Sequence, residues 1–133
     1  MPTATVDKQL HEGGAVYAAA CTADDLRQAA QAAGYGFHAV ECTRAKTKSA
    51  LLNAIENALD FPEHFGHNLD ALYDCLTDLV LEQDKGLVLV LKGLHEEDEQ
   101  QVVQHKAVTQ VFEDVIEFAR DNGKAMSMWV TEG

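Results

Sequence analysis

The chain has 133 residues, enough for one domain with a hydrophobic core, and its 47% hydrophobic and 24% charged residues are ordinary globular values. Its charge is unusual, because 22 Asp and Glu against 10 Lys and Arg give a formal net charge of -12. A field of that sign repels nucleic acids and anionic membranes and speeds encounters with cationic partners, although an acidic surface can also serve solubility alone.

The sequence carries no sign of export or membrane insertion. The first residues, MPTATVDKQLHEGG, are polar and lack the basic start and apolar stretch of a signal peptide. No apolar run approaches the roughly 20 residues that span a bilayer. The three cysteines, Cys21, Cys42 and Cys75, form no CxxC pair, which argues against a disulfide framework or a zinc site. We therefore expect a cytoplasmic protein with no metal and no cofactor.

The first part of the chain contains weak local signals. Residues 1–14 predict a loose lead-in, and residues 15–20, AVYAAA, predict a strand. A helix over ADDLRQAAQAA follows, with Thr22 or Asp24 as its N-cap and Gly34 just beyond its end. The strand FHAVEC is predicted over residues 37–42.

The middle of the chain is predicted to be mainly helical. One helix begins near Thr47 or Ser49 and is closed by Pro62, because the residue before a proline is driven out of the α region. Residues 61–67, FPEHFGH, predict a loop. Asn68 then stands at an N-cap position before the apolar run of the next helix.

The last part of the chain gives the clearest strand signal. The run GLVLVLKG, residues 86–93, is apolar between its glycines, which is typical of a strand covered on both faces. A helix is predicted over about residues 99–121, followed by Gly123 and a final strand, AMSMWVT. The alternation of strands and helices predicts one α/β domain with a three- or four-stranded, mainly parallel sheet and packed helices.

The helix after Asn68 combines an apolar face with an acidic one. Leucines recur at helical spacing at positions 69, 72, 76 and 79, with Cys75 beside them as an expected small core residue. Asp70, Asp74 and Asp78 recur at every fourth residue on the other side. Each like-charged i,i+4 pair costs a helix about 0.2–0.5 kcal/mol. The acids form either an ordinary solvated surface or a set of carboxylates kept for a cationic partner.

The stretch FPEHFGHNLDALYDCLTDL, residues 61–79, resembles the loop and second helix of the barstar family, the intracellular inhibitors of barnase. The matching features are Pro62-Glu63, Gly66, NLDAL at 68–72 and DCLT at 74–77. Weaker similarity runs from residue 37 to the C-terminus. Within the predicted domain, 15–133, residues 15–36 are therefore interpreted as an N-terminal extension and residues 37–133 as the barstar-like core.

The resemblance implies inhibition by occlusion of a ribonuclease active site. In the family, the loop and helix plug the enzyme, and acidic side chains replace the RNA phosphates. Asp74 matches the carboxylate that lies deepest among the basic catalytic residues, and Asp70 matches a second carboxylate of the same patch. Gly66, Asn68 and Leu69 match positions at the rim. Charge-assisted hydrogen bonds to Arg, Lys and His are the physical basis of such binding.

Three contact positions depart from the family pattern. Tyr73 replaces an exposed tryptophan, and His64 replaces a tyrosine that stacks on the enzyme, while Phe65 keeps an adjacent aromatic ring. Asp114 replaces a glutamate on the last helix and is one methylene shorter. These departures affect the identity of the partner more than the fold.

Other functions stay open at this point. A metal hydrolase would take His64, His67, Asp70 and Asp74 as ligands, but Gly66 interrupts the helical face and no HExxH motif follows. A catalytic pair of Asp70 and Asp74 needs one carboxyl in an apolar cleft, whereas three acids on one face indicate exposure. The sequence therefore predicts a non-enzymatic inhibitor of a basic ribonuclease or related toxin. The alternative is an acidic interaction or immunity module for another basic protein, and the oligomeric state is left open.

Overall fold

The computed structural model describes residues 3–17, 21–59, 68–94 and 99–131. Within these ranges the chain forms helices and strands in the order α1 (Thr3–Glu12), β1 (Gly14–Val16), α2 (Ala23–Ala33), β2 (Gly36–Glu41), α3 (Lys48–Leu59), α4 (Leu69–Glu82), β3 (Gly86–Lys92), α5 (Glu99–Asp121) and β4 (Ala125–Thr131).

The strands form one four-stranded sheet in the order β1-β4-β3-β2. All neighbouring pairs are parallel, and β3 is paired along its length with β2 on one side and β4 on the other. The α/β class and the mainly parallel sheet predicted from the sequence are confirmed. The short strand β1 adds one edge by pairing with β4 from Gly14↔Ser127 to Val16↔Trp129.

Helices cover both faces of this sheet. On one face the leucines of β3 and the methionines of β4 pack against α3, α4 and α5. On the other face Val88, Val90 and Trp129 pack against α1 and α2. Trp129 is 4% exposed, and its indole N–H donates to the Ser127 hydroxyl at 2.8 Å, so its polar atom is satisfied inside the layer. The prediction that residues 86–93 form a strand covered on both faces is thus confirmed.

The N-terminus differs from the sequence prediction. The loose lead-in expected over residues 1–14 is wrong for Thr3–Glu12, which forms α1, with Val6 and Leu10 buried against the sheet. These two residues, one helical turn apart, are a weak signal in a polar segment. Gly13 ends α1 with a φ of 76°, and a Cβ at this position would lie 2.8 Å from the Met126 carbonyl oxygen. A glycine is therefore required where the chain turns into the sheet.

Local signals at the other elements agree with the structure. Thr22 is the N-cap of α2, because its hydroxyl accepts the Asp25 N–H at 3.1 Å, and Gly34 follows with a φ of 79°. β1 begins at Gly14 and ends at Val16, so the strand predicted over residues 15–20 is wrong at Tyr17, which forms a bend, and its residues 18–20 lie outside the described residues. Pro62, the predicted stop of α3, lies outside them as well. Across the described ranges, no helix combines the length and apolar character needed to cross a membrane.

The contribution of α1 can be measured by substitution. Leu10→Ala should lower the free energy of unfolding by about 2–5 kcal/mol, because Leu10 is 0% exposed between α1 and the sheet. Lys8→Ala, at a solvent-facing position of the same helix, should change it by less than about 0.5 kcal/mol. Urea unfolding measures both variants. Equal small effects would show that α1 does not belong to the cooperative fold.

Candidate functional site: an acidic binding surface

The predicted site centres on α4, whose start is set by Asn68. Asn68 has an extended backbone, with φ −128° and ψ 168°, and its side-chain oxygen accepts the Ala71 N–H at 2.8 Å. This is the N-cap predicted from the sequence. Because the helix begins here, Asp70 lies in its first turn, where the helix dipole stabilises a negative charge.

The buried face of α4 fixes the rotation of the helix. Leu72, Leu76 and Val80 are each 0% exposed and belong to the hydrophobic layer beneath α4. Thr77 is buried as well, and its hydroxyl donates to the Asp74 carbonyl oxygen at 2.9 Å. Leu69, at the end nearest the cap, is partly buried against the same layer. The apolar face of α4 is therefore held firmly.

The opposite face of α4 presents the acids. Asp70, Asp74 and Asp78 are all exposed. Successive carboxylates are separated by about 6 Å along the axis, since each residue of a helix rises about 1.5 Å. We call these three residues the acidic face of α4. Exposed carboxylates lack the apolar cleft that a catalytic pair needs, and they are free to meet a cationic surface.

Cys75 lies at the border between the two faces. It is partly buried against the hydrophobic layer. Burial raises the pKa of the Cys75 thiol, and the charges of Asp78 and Asp74 raise it further. A raised pKa leaves less thiolate, which is the nucleophilic form, so the position suits a packing residue.

Tyr73 connects α4 with α5. Its ring is half-buried and meets Phe118 edge to face, with ring centroids 6.4 Å apart and an interplanar angle of 71°. Asp114 is exposed one turn before Phe118 on α5, and its carboxylate accepts the Gln110 side-chain amide at 3.1 Å. The structure thus places Asp114 on α5, the helix that contacts α4 through Phe118 and Tyr73. Gln110 was missed in the sequence, although its i,i+4 spacing from Asp114 is a readable signal.

A groove lies between α5 and β1, and Asp114 is one of its lining residues. Its volume is about 450 Å³, and its lining includes Gly14 and Ala15 of β1 and Glu113, Asp114, Glu117 and Arg120 of α5. The two walls are about 100 residues apart in the sequence, a separation for which no local pattern gives a signal.

The remaining predicted contacts, His64, Phe65 and Gly66, lie outside the described residues. The metal alternative depends on His64 and on His67, which lies outside them too. Within the ranges that are described, no group of three or more His, Cys, Asp or Glu is placed to hold a metal ion.

Loss of the N-cap should destabilise α4. Asn68→Ala is expected to lower the free energy of unfolding by about 1 kcal/mol, because the Ala71 N–H loses its acceptor. Asn68→Asp keeps an acceptor at the same place and should be close to wild type. Urea unfolding of the two variants gives the comparison, and an equal loss in both would contradict the capping role.

The contact between α4 and α5 can be tested by a double-mutant cycle. Tyr73→Ala and Phe118→Ala should show a coupling energy of about 0.5–1.5 kcal/mol in unfolding, the range for an edge-to-face aromatic pair. Purely additive effects would show that the two rings do not stabilise each other.

Comparisons with known proteins bear on these helices directly. A family model described as Barstar (barnase inhibitor) matches residues 35–131. The curated protein named "Putative ribonuclease inhibitor YrdF" of Bacillus subtilis (strain 168) is 54% identical over 39 residues, which cover 29% of this chain and 40% of that protein.

Among solved structures, the ORC2 protein of Aeropyrum pernix has a TM-score of 0.60 to this chain at 12% sequence identity. The likeness covers 97% of this chain and 39% of the other, and it concerns the fold alone. The family match is more specific, since it includes every element from β2 to β4 and with them the acidic face of α4. The chain belongs to the barstar family.

Proposed function

We propose that this protein inhibits a basic, barnase-type ribonuclease by inserting the acidic face of α4 into the active site of the enzyme. The observation that carries the proposal is the exposure of Asp70 and Asp74 at the capped end of a helix whose other face is buried. The description of the family as barnase inhibitor and the name of the Bacillus subtilis relative support a ribonuclease as the partner.

The chemistry of a ribonuclease site explains why carboxylates suit it. The enzyme must hold phosphate, so it presents Arg, Lys and His donors, and a carboxylate satisfies them in charge-assisted hydrogen bonds. Asp side chains are short, and α4 is fixed by its buried face, so little conformational freedom is lost on binding. The net charge of -12 adds a long-range attraction that speeds association.

The proposed contact surface extends beyond the two central acids. Asn68 and Leu69 lie at the start of α4, Tyr73 lies on the side of α4 that contacts α5, and Asp114 lies on α5. His64, Phe65 and Gly66 lie two to four residues before Asn68 in the chain and are proposed as the remaining contacts. All of these residues act by occupying the enzyme, so the role requires no catalytic group, metal or cofactor in this chain.

Asp74→Ala should affect binding and stability in opposite directions. We expect the complex with barnase to lose about 2–5 kcal/mol, mainly through faster dissociation, because cations of the enzyme stay buried and unpaired. This range for the loss of binding free energy itself derives in part from the barnase–barstar interface. The free protein should gain about 0.5–1.5 kcal/mol in stability, since the repulsion with Asp70 and with Asp78 is removed and Ala favours the helix. Surface plasmon resonance and urea unfolding measure the two effects.

Asp78→Ala is the matched control for this substitution. It also removes a like-charged i,i+4 pair, but it lies one helical turn further from the capped end of α4. It should stabilise the free protein and weaken binding much less than Asp74→Ala. If both variants bind barnase as tightly as the wild type, the assignment of the site is wrong. If the wild type does not bind barnase, the proposed partner is wrong.

A further inference from the structure

We propose that the groove between α5 and β1 belongs to the same binding surface and receives an Arg or Lys side chain of the ribonuclease. The inference rests on the proposed function. It adds a specificity-determining site that is built in part by residues before the family match.

The shape of the groove depends on two distant parts of the chain. One wall is formed by Gly14 and Ala15 of β1, and the other is formed by the outer side of α5. The family match covers residues 35–131, so β1 lies outside it while α5 lies inside. A volume of about 450 Å³ is within the range of protein ligand sites and is ample for one long side chain.

The charge of the groove favours a cation. Three carboxylates, Glu113, Asp114 and Glu117, line it together with one guanidinium, Arg120, which leaves two net negative charges. Glu113 and Glu117 are also an i,i+4 pair that repels itself in the free protein, and a cation between them relieves that repulsion. Carboxylates around a concave space concentrate the negative potential there.

The groove also has a surface for the stem of a long basic side chain. Ala15 and Ile116 are among its lining residues, and both also pack with the hydrophobic layer beneath α5. Arg and Lys place their methylene groups on such apolar surface and keep the charged group among polar partners. The combination of apolar base and acidic rim therefore fits Arg or Lys better than a small inorganic cation.

Asp114 is shared by the groove and by the proposed contact surface. It lines the groove, and on α5 it lies one turn before Phe118, which contacts Tyr73. A stable interface buries about 800 Å² on each partner, an area that three carboxylates alone do not provide. A ribonuclease bound on Asp70 and Asp74 must therefore contact neighbouring surface as well, and Asp114, a proposed contact, is itself a lining residue of the groove.

Binding of barnase to the full-length chain tests the inference. The variant Glu113→Gln/Glu117→Gln keeps the size of both side chains and removes two charges, while Asp114 stays in place. The matched control, Glu82→Gln/Asp84→Asn, removes two exposed acids, one at the last residue of α4 and one two residues beyond it. We expect the groove variant to dissociate about tenfold faster than the wild type, because direct contacts are lost. The control should change the association rate instead.

Salt separates a direct contact from long-range attraction. Raising the salt from about 0.1 to about 1 M shortens the Debye length from about 10 to about 3 Å, so the effect of the control should disappear. The faster dissociation of the groove variant should persist. Glu117→Arg, which places a cation of the chain itself in the groove, should weaken binding further than the double variant.

Each result leads to a different conclusion. If the groove variant and the control dissociate equally, while Asp74→Ala still weakens the complex, this inference is overturned and the proposed function stands. If the wild type does not bind barnase, both are overturned. Misfolding is excluded as a cause when the unfolding free energy of the groove variant is at least that of the wild type, as expected after removal of a repulsive pair.

Discussion

The rotation of α4 about its own axis decides what this protein offers to a partner. Leu72, Leu76 and Val80 are anchored in the layer between helix and sheet, so the acids on the other face point to solvent. A helix turns about 100° per residue, and a shift of one position would move an aspartate toward the layer. The cost of burying an unpaired charge excludes that arrangement. Packing of α4 against the hydrophobic layer thus determines where the acidic face points.

Repulsion within the acidic face destabilises α4, and other interactions of the helix have to offset it. Asp70, Asp74 and Asp78 form two like-charged i,i+4 pairs, which together cost about 0.4–1 kcal/mol if the pairs are additive. The cap at Asn68 contributes about 1 kcal/mol in the opposite direction, and Asp70 gains from its place in the first turn. The strong start of α4 offsets the repulsion along its outer face. The stability of this helix and its proposed affinity for a cationic partner are therefore opposed, as is common at functional surfaces.

Elements that are determined by residues close together in the sequence could be predicted from it. Asn68 is an N-cap before an apolar periodicity, and residues 86–93 are an apolar run, so α4 and β3 are found where they were predicted. Contacts between distant segments were not predictable in this way. The Tyr73–Phe118 contact joins two helices, and the groove joins β1 with α5. α1 was missed because Val6 and Leu10 can be recognised as core residues only when the sheet that buries them is known.

The segment before the family match covers one face of the sheet. A parallel sheet is stable when both of its faces are covered. The matched residues 35–131 supply α3, α4 and α5 for one face, whereas the helices over Val88, Val90 and Trp129 are α1 and α2, which precede the match. Once these helices are in place, the link between them runs along β4 as β1 and forms the wall opposite α5. The segment before the family match therefore covers one apolar face of the sheet and also forms one wall of the acidic groove. Since that wall is separate from α4, changes in β1 should alter the groove without disturbing Asp70 and Asp74, and the proposed specificity for a partner would then change while these two acids are kept.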